Sequence, residues 1–383
     1  MNRRMIPILF LAILLQLNFT KTHCQQTAEF SISISDQHVD VMLLDSEGRE
    51  IFGVVVQKNG GISELRVSQI PYATSLGYFV WNDDWGQASG SDATAEPIID
   101  NKGEYVTLTC YGMYRVHQLS MITNITISKT GIIMFSSRLV AERNEPTLMM
   151  IAWDSFLPIE LFAGEKVYIR AGGRVQEATL PVDFGTNPIF SSSDVQWIDF
   201  SKPLEGITLI NMAPDLHSEG IVQDEREWNG TTYSARYTIR SWGQSSMAQG
   251  EEVNTRVVIY IHGSGGYQGN LEVIDLLLSS VDLEVRIRNS ASFKSDRARE
   301  LASQARVQMN MALNKLLSGD LNGATDTLKQ AESLIKEAEE TEMGPLMMRD
   351  ILMTMLIVVL IAILYVALKI FRKRKTTRSK IGG

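Results

Sequence analysis

Cysteine is nearly absent from the sequence, which contains only Cys24 and Cys110 among its 383 residues. Cys24 lies at the end of a predicted leader, so cleavage of that leader leaves Cys110 alone and no intrachain disulfide can form. This excludes the small secreted scaffolds that depend on several disulfides. A hydrophobic core must therefore hold the protein together, and the chain is long enough to bury one.

Histidine is also scarce, and the common metal and nucleotide motifs are missing. The five histidines are scattered along the chain, and one of them, His23, falls in the predicted leader. The sequence has no Cys and His spacing typical of zinc sites, no HExxH sequence, no Walker loop and no dinucleotide fingerprint. It therefore predicts neither a metal nor a cofactor.

Positive charge is limited outside the ends of the chain. The formal net charge is −8, although Lys and Arg crowd the C-terminal tail. Proteins that bind nucleic acids present a basic surface to the phosphates. The acidic exterior therefore argues against DNA or RNA as a partner.

A short apolar run near the N-terminus follows Arg3 and Arg4. It extends over Ile6–Leu17 and would reach only about 18 Å as a helix, whereas the hydrocarbon core of a bilayer is about 30 Å thick. A basic start followed by a short apolar stretch is typical of a signal peptide. We expect a signal peptide at 1–24 with cleavage near Cys24; an uncleaved anchor is the alternative.

A longer apolar segment lies near the C-terminus, where Ile351–Leu368 contains no charged residue. This length suffices for a helix that crosses the bilayer, and we predict a transmembrane helix at 347–371. The basic tail at 372–383 then faces the cytoplasm by the positive-inside rule. The sequence thus predicts a single-pass type I protein of the cell membrane that contacts the lipid bilayer and has an extracytoplasmic N-terminal domain. The lumen of the endoplasmic reticulum is the alternative in a eukaryotic cell.

Residues 25–288 show the periodicity of strands. Apolar and polar residues alternate in Phe30–Ile34, Val106–Thr109, Thr123–Ile127 and Val281–Ile287. Turns rich in Gly, Asn and Asp separate such segments. Strands that follow strands without intervening helices favour antiparallel sheets. We predict a mainly β fold in which 25–288 form an antiparallel sandwich or barrel, with a large antiparallel β-sandwich as the expected form.

The period becomes helical after residue 288. Apolar residues recur every three or four positions on both sides of Ser318-Gly-Asp320. Two helices joined by so short a turn pack as an antiparallel hairpin. We predict a membrane-proximal helical hairpin at 289–342, with Met343–Pro345 as a hinge into the transmembrane helix; a plain spacer is the alternative.

Two N-glycosylation sequons lie in the predicted exterior, at Asn124-Ile-Thr and Asn229-Gly-Thr. Both asparagines are candidate glycosylation sites, and their position suits a secreted surface. Chance alone supplies about as many sequons in a chain of this length, so they add little to the prediction of localisation.

Three passages, Phe52–Val67, Ile125–Phe135 and Glu145–Thr147, together carry a resemblance to a known fold. They resemble the galactose mutarotase-like β-supersandwich, the fold of the aldose epimerases. Phe52–Val67 is similar to the opening of that family, where a Gly pair leads into a strand. Ile125–Phe135 is similar to its strand, turn and strand signature, and Glu145–Thr147 stands where the family has polar and Pro residues before its active-site segment. The resemblance implies a supersandwich fold and carbohydrate binding.

The catalytic pattern of that family does not carry over. Family epimerases have an Asn-His pair after the Pro, whereas Met150–Phe156 contains no histidine. Ring opening needs a general acid and a general base, usually histidine with a carboxylate, and His117, His217 and His262 lack the neighbours found in the family. The resemblance therefore implies binding without the epimerase reaction, and we predict no catalytic residues.

Aromatic rings stand beside carboxylates in two segments that suit sugar binding. The candidate ligand-binding residues are Tyr78, Trp81, Asp83, Asp84, Trp85, Trp153 and Asp154. Aromatic faces can stack on the apolar faces of sugar rings while polar groups meet the hydroxyls. The alternative is that the tryptophans pack in the core and the acids cap turns. The acid spacing of a calcium loop is absent, so no metal is expected here.

One further segment, His262-Gly-Ser-Gly-Gly266, follows an apolar run and resembles the oxyanion segment of α/β-hydrolases. Backbone amides of such a segment can stabilise an oxyanion. However, the nucleophile sequence G-x-S-x-G is missing, and the preceding region does not have an α/β pattern. A strand that ends in a Gly-rich turn is the interpretation that the sequence favours.

Three function classes follow from these observations. The first is a membrane-anchored exterior β-domain that binds a glycan or a surface protein without catalysis. The second is a structural or assembly protein, such as an anchor of a surface layer or an accessory subunit of a membrane complex. The third is a carbohydrate-active enzyme of the mutarotase-like class.

Overall fold

A computed structural model of the chain describes residues 28–82, 91–145, 148–240, 246–263 and 265–378. The predicted signal peptide at 1–24 and the candidate residues Asp83, Asp84 and Trp85 lie outside this description. The chain divides into two compact units. The first unit comprises Met1–Val281 and Asn314–Leu321, and the second comprises Asp282–Leu313 and Asn322–Gly383.

The described part of the first unit contains two ten-stranded antiparallel sheets. Sheet A consists of β1 (Glu29–Ile34), β2 (His38–Leu44), β3 (Glu50–Gln57), β4 (Ile62–Val67), β5 (Ile70–Ala73), β6 (Ser75–Asn82), β12 (Leu148–Pro158), β15 (Phe190–Ser192), β18 (Glu219–Asp224) and β19 (Thr232–Arg240). Its order is β1-β2-β3-β4-β6-β12-β19-β18-β15, with β5 paired to β4.

Sheet B has a comparable set of strands. It consists of β7 (Asp92–Ala93), β8 (Ile98–Asn101), β9 (Tyr105–Tyr114), β10 (Leu119–Ser128), β11 (Ile132–Ala141), β13 (Lys166–Ala171), β14 (Arg174–Thr179), β16 (Val195–Ser201), β17 (Glu205–Asn211) and β20 (Glu252–Gly263). Its order is β14-β13-β16-β17-β20-β11-β10-β9-β7, with β8 paired to β9. The predicted antiparallel β-sandwich is therefore confirmed.

The core lies between the two sheets and follows the alternation of the sequence. In β9 every second side chain is buried, so that Val106, Leu108 and Cys110 face inward. Each apolar side chain of this size contributes about 1.5–3 kcal/mol when it is fully buried. Cys110 is a free thiol in this core, and burial raises its pKa to about 12, which leaves it unreactive at neutral pH.

Among the described residues, one short helix lies between strands and three long helices follow the last strand. They are α1 (Ile159–Phe162), α2 (Leu271–Asn289), α3 (Asp296–Leu317) and α4 (Leu321–Arg378), with short 3-10 turns at Glu225–Trp228, Tyr267–Asn270 and Ser290–Ser292. The two long helices predicted on either side of Ser318–Asp320 are present as α3 and α4.

The strand predicted at Val281–Ile287 is wrong, because these residues belong to α2. Ile274, Leu277 and Val281 are buried at a spacing of three and four residues, which is the period of a helix. Seven alternating residues fit a strand when they are taken alone. The longer window that begins at Leu271 shows the helical period.

Within the second unit, α2 and α4 are joined by a two-point ion pair. Arg286 donates to Glu339 through Nε at 2.9 Å and through a terminal nitrogen at 2.7 Å. The hinge predicted at Met343–Pro345 is absent, because α4 continues through these residues. Proline removes one backbone hydrogen bond, and the helical period of the residues on both sides outweighs this loss.

The predicted membrane span at 347–371 lies within α4. Among the helices as far as the structure describes their residues, none contains a stretch both long and apolar enough to cross a membrane. Many side chains of the predicted span lie outside this description.

Candidate functional site

Three neighbouring strands of sheet A, β6, β12 and β19, carry the described candidate residues. Tyr78 is paired with Trp153, and Asp154 is paired with Arg236 on β19. Residues paired across antiparallel strands share a face, and successive residues of one strand alternate between faces. Tyr78 and Trp153 therefore share one face of sheet A, and Trp81 and Asp154 lie on the other.

Tyr78 and Trp153 face the core between the sheets. Trp153 is fully buried, and its ring centroid lies 6.2 Å from that of Phe135 and 6.1 Å from that of Tyr237. The hydroxyl of Tyr78 donates to the carbonyl of Val253 at 3.3 Å. Burial holds the pKa of Tyr78 well above its ordinary value. These two side chains have the positions that the core-packing alternative predicted.

Trp81 and Asp154 lie on the outer face of sheet A, and Arg236 connects them. Nε of Arg236 donates to Oδ2 of Asp154 at 2.7 Å. The guanidinium carbon lies 4.8 Å from the centroid of the Trp81 ring, which is a cation–π contact. Glu225 completes the group, because its Oε1 lies 3.9 Å from Arg236 and accepts a hydrogen bond from Ser234. We call these five residues the Arg236 cluster.

The carboxyl of Asp154 has unusual electrostatics. Complete burial raises its pKa to about 7, and the charge of Glu225 acts in the same direction. Arg236 and the amide of Ser155, which donates to Oδ1 at 2.9 Å, favour the ionised form and limit this rise. A carboxyl with a pKa near neutrality can exchange a proton at physiological pH.

Two buried oxygens beside the cluster have no hydrogen-bond partner among the described residues. They are Oε1 of Gln223 and Oγ1 of Thr238. Gln223 is paired with Ser234, and Thr238 lies two residues from Arg236 on β19, so both side chains share the outer face of sheet A with the cluster. A buried polar group without a hydrogen-bond partner lowers the stability of the fold by about 1–3 kcal/mol. A ligand that donates hydrogen bonds to these two oxygens would remove that cost.

The three buried histidines lie in separate places. His262 Nε2 is 2.8 Å from Asp199 Oδ1, whereas His217 is held between Asn211 and Thr255 at 2.7 Å on each side. His117 lies 3.5 Å from a carboxylate oxygen of Glu145, and neither of its ring nitrogens has a hydrogen-bond partner in the described structure. No two of them share a partner, so the described residues offer no site with two histidines and a carboxylate.

The tautomer of His217 follows from its partners. Oδ1 of Asn211 also accepts from the amide of Ala213 at 3.0 Å, so this oxygen is an acceptor and Nδ1 of His217 is the donor. Nε2 then accepts from the hydroxyl of Thr255. Burial lowers the pKa of His217 to about 4, so the ring is neutral at physiological pH.

The described residues contain no group of three histidine, cysteine, aspartate or glutamate side chains that is suitable for a metal ion. Sequence reasoning missed Arg236, which donates to Asp154, and Glu225, which lies beside Arg236. The sequence around Arg236 gave no signal, because the burial of the six residues Tyr233–Thr238 in the strand Thr232–Arg240 is known only from the structure. A cation inside such a strand needs a carboxylate partner.

Among known proteins, no family model matches the sequence and no curated protein is similar to it. Three solved structures illustrate the structural similarity. Galactose 1-epimerase from Lactobacillus acidophilus NCFM is 8% identical with a TM-score of 0.36, covering 62% of this chain and 99% of the epimerase. The GalM/aldose epimerase homologue from C. elegans is 7% identical with a TM-score of 0.30, and the match covers 62% of this chain and 100% of the homologue. GH36 alpha-galactosidase AgaA from Geobacillus stearothermophilus is 13% identical with a TM-score of 0.35, and the match covers 62% of this chain and 41% of the galactosidase.

The predicted weak resemblance to galactose mutarotase-like proteins is confirmed by these matches. With identities this low and TM-scores below 0.5, the matches carry no argument about the site. The function has to be argued from the residues themselves.

Proposed function

We propose that this protein binds carbohydrate, without catalysis, on the outer face of sheet A, at the Arg236 cluster. The observation that carries the proposal is that two buried oxygens, of Gln223 and Thr238, have no described hydrogen-bond partner on the face of sheet A that carries Arg236. Polar groups inside a protein are hydrogen-bonded in the great majority of cases. The hydroxyls of a sugar would supply the missing partners.

The chemistry of the cluster suits a sugar ring. Trp81 brings an aromatic ring to the cluster; Arg236 covers one side of it and 8% of the residue is exposed, and this exposed part can contact the apolar side of a sugar ring. Arg236 and the carboxyls of Asp154 and Glu225 are donors and acceptors held in fixed positions by their mutual contacts. A ligand that meets such groups does not have to order them first, which lowers the entropic cost of binding. Asp83, Asp84 and Trp85 follow β6 directly in the chain and belong to the proposed site as predictions from the sequence.

A glycan array tests the proposal. The full-length chain in detergent is applied to the array, together with Trp81→Ala and the control Phe184→Ala, which removes an exposed aromatic side chain outside the cluster. We expect hits that weaken by at least about tenfold in Trp81→Ala, because truncation of a tryptophan that anchors a binding site costs about 2 kcal/mol or more. Phe184→Ala should retain the hits. A blank array would contradict glycan binding and favour the structural or assembly role.

One observation favours a second candidate function, a carbohydrate-active enzyme. The pKa of Asp154 is about 7, which suits a general acid or base, and Glu225 provides a second carboxyl in the same cluster. Asp154→Asn and Glu225→Gln separate the two functions. If the wild type converts a sugar and these variants bind it without converting it, the protein is an enzyme. If neither the wild type nor the variants form a product and all of them bind the sugar, the protein is a binding protein.

We further propose that the chain is anchored in the cell membrane by the segment 347–371, with the sandwich outside and the tail 372–383 in the cytoplasm. The seven side chains Met355–Ile361 are all apolar and each is more than half exposed. Seven consecutive residues cover every side of a helix, and water is a poor solvent for such a surface. The absence of charge over Ile351–Leu368 and the basic residues that follow support the same proposal.

A further inference from the structure

The first unit has a cleft on the outer face of sheet B. It has a volume of about 330 Å³ and is lined by residues from the start of β13, the end of β16 and the turn that follows β20. The lining side chains used below are Glu165, Lys166, Tyr168, Ser201, Lys202 and Tyr267. We call it the Tyr267 cleft, and none of these residues belongs to the Arg236 cluster.

Two tyrosine rings form one wall of the Tyr267 cleft. The centroid of the Tyr267 ring lies 5.0 Å from that of Tyr168 and 5.0 Å from that of Trp197. Trp197 is fully buried and so fixes Tyr267, whereas both tyrosines are half-buried. Rigid, partly exposed aromatic rings beside polar groups are typical of sites that bind sugar rings.

Two ammonium groups and one carboxyl line the same cleft. Nζ of Lys202 donates to the carbonyl of Leu161 at 3.1 Å, and Nζ of Lys166 lies 2.7 Å from Glu177. An ammonium group has three donors, so each lysine has further donors for a ligand. The side chains of Lys166 and Glu177 are each about half exposed, and ion pairs between exposed side chains contribute little to stability. The cleft therefore has two cations: Lys202, whose described partner is a carbonyl, and Lys166, whose exposed pair with Glu177 a ligand can replace; Glu165 is the carboxyl of the lining.

A buried network fixes the hydroxyl of Ser201 at the base of the cleft. Ser201 donates to Oδ2 of Asp199, whose Oδ1 accepts from Thr208 at 2.7 Å and lies 2.8 Å from Nε2 of His262. The hydrogen of Ser201 is therefore engaged, and its oxygen can accept a hydrogen bond from a ligand. Asp199 and His262 are buried and act on a ligand only by positioning Ser201.

We propose that the Tyr267 cleft is a second saccharide-binding site that is selective for acidic sugars, that is, sugar rings that carry a carboxylate. The apolar face of the ring stacks on Tyr168 and Tyr267, and the carboxylate lies between Lys166 and Lys202. A ring hydroxyl donates to Ser201, and another donates to Glu165. The site uses other residues than the Arg236 cluster, on the other sheet, so its existence does not depend on the proposed function.

Calorimetric titration of the full-length chain in detergent tests this proposal, with trigalacturonate as the acidic probe and galactotriose as the neutral one. We expect trigalacturonate to bind at least about tenfold more tightly, with an affinity that falls as salt rises from about 0.05 M to about 0.3 M. Lys202→Met should weaken its binding at least about fivefold, and Lys202→Arg should retain it, because Arg keeps the positive charge. Lys336→Met, which removes an exposed lysine of α4, is the matched control.

Lys166→Met provides an independent variant, because Lys166 is half exposed and its loss leaves the fold intact. The proposal is overturned if the two probes bind equally, if neither binds, or if both lysine variants bind trigalacturonate like the wild type. It is also overturned if trigalacturonate binding is lost in Trp81→Ala and kept in Lys166→Met, since the acidic sugar would then occupy the Arg236 cluster. That last result would leave the proposed function standing.

Discussion

Nε of Arg236 donates a hydrogen bond of 2.7 Å to Oδ2 of Asp154, and the two residues face each other across β12 and β19. Asp154 is completely buried and Arg236 nearly so. Each group therefore relies on the other, because an isolated charge in such a place is very costly. The pair also fixes the guanidinium over Trp81, so that the aromatic ring and the two charged groups form one rigid surface.

Removal of Arg236 should destabilise the fold. Arg236→Met keeps the apolar stem and leaves Asp154 without its partner, and we expect the free energy of unfolding to fall by about 3–5 kcal/mol. Denaturant unfolding followed by circular dichroism measures this change. Arg138→Met is the control, because Arg138 and Glu252 form an exposed pair and their loss should cost less than about 1 kcal/mol. Equal losses in the two variants would contradict the role assigned to Arg236.

The stability that Asp154 contributes should depend on pH. Its folded-state pKa is about 7, against about 3.9 in an unfolded chain, so the folded state holds the proton more strongly. The contribution is fully present below about pH 4 and is lost as the pH rises through about 7. The difference in unfolding free energy between wild type and Asp154→Asn should therefore change by about 4 kcal/mol over this range. A constant difference would show that Asp154 has an ordinary pKa.

His217 should have the opposite pH dependence. Its pKa falls from about 6.5 in the unfolded chain to about 4 in the folded protein, so the unfolded state binds the proton first. Its contribution is present above about pH 6.5 and is lost as the pH falls to about 4, which amounts to about 3 kcal/mol. Thermal unfolding of the wild type and His217→Gln over this range should converge as the pH falls. Gln37→Asn, which changes an exposed residue without an ionisable group, should leave the pH profile unchanged.

The turn between β10 and β11 should tolerate only glycine at position 131. Gly131 has a φ of +82°, and a Cβ there would clash with the carbonyl oxygen of Ile261. Gly131→Ala should lower the free energy of unfolding by about 1–3 kcal/mol, because strained backbone and steric overlap add. Gly185→Ala is the control, since the nearest atom to its Cβ would be 3.9 Å away. A Gly131→Ala protein as stable as the wild type would contradict this conformation.

The proposed anchor can be tested by charge insertion. Leu356→Arg together with Val359→Arg should release the protein from membranes, because each arginine at the centre of a span costs about 2.5–3.5 kcal/mol. The measurement is the fraction of chain that alkaline carbonate extracts from membranes. Gln330→Arg adds the same charge to an exposed position of α4 outside the proposed span, and its extraction should match the wild type. A wild-type chain that carbonate extracts completely would rule out the anchor.

The alternation of side chains along a strand could have shown from the sequence which candidate residues share a face of the sheet. Tyr78 and Trp81 are three positions apart, and Trp153 and Asp154 are adjacent, so within strands each pair must split between two faces. These four candidate residues therefore could not all lie on one ligand-binding face. The pairing of Asp154 with Arg236 lay beyond such reasoning, because 82 residues separate them and local patterns carry no information on which strands become neighbours.

What the sequence determined by itself was the class of most segments, with Val281–Ile287 as the exception. Alternation fixed the strands, the period of three or four fixed α3 and α4, and the scarcity of cysteine required a packed core without disulfides. Only the tertiary structure decided which polar residues meet. The order β6-β12-β19 brought Trp81, Asp154 and Arg236 together, and the turn after β20 brought Tyr267 onto Trp197. The physical reason is that periodicity arises from the local backbone, whereas the partners of buried charges depend on long-range strand order.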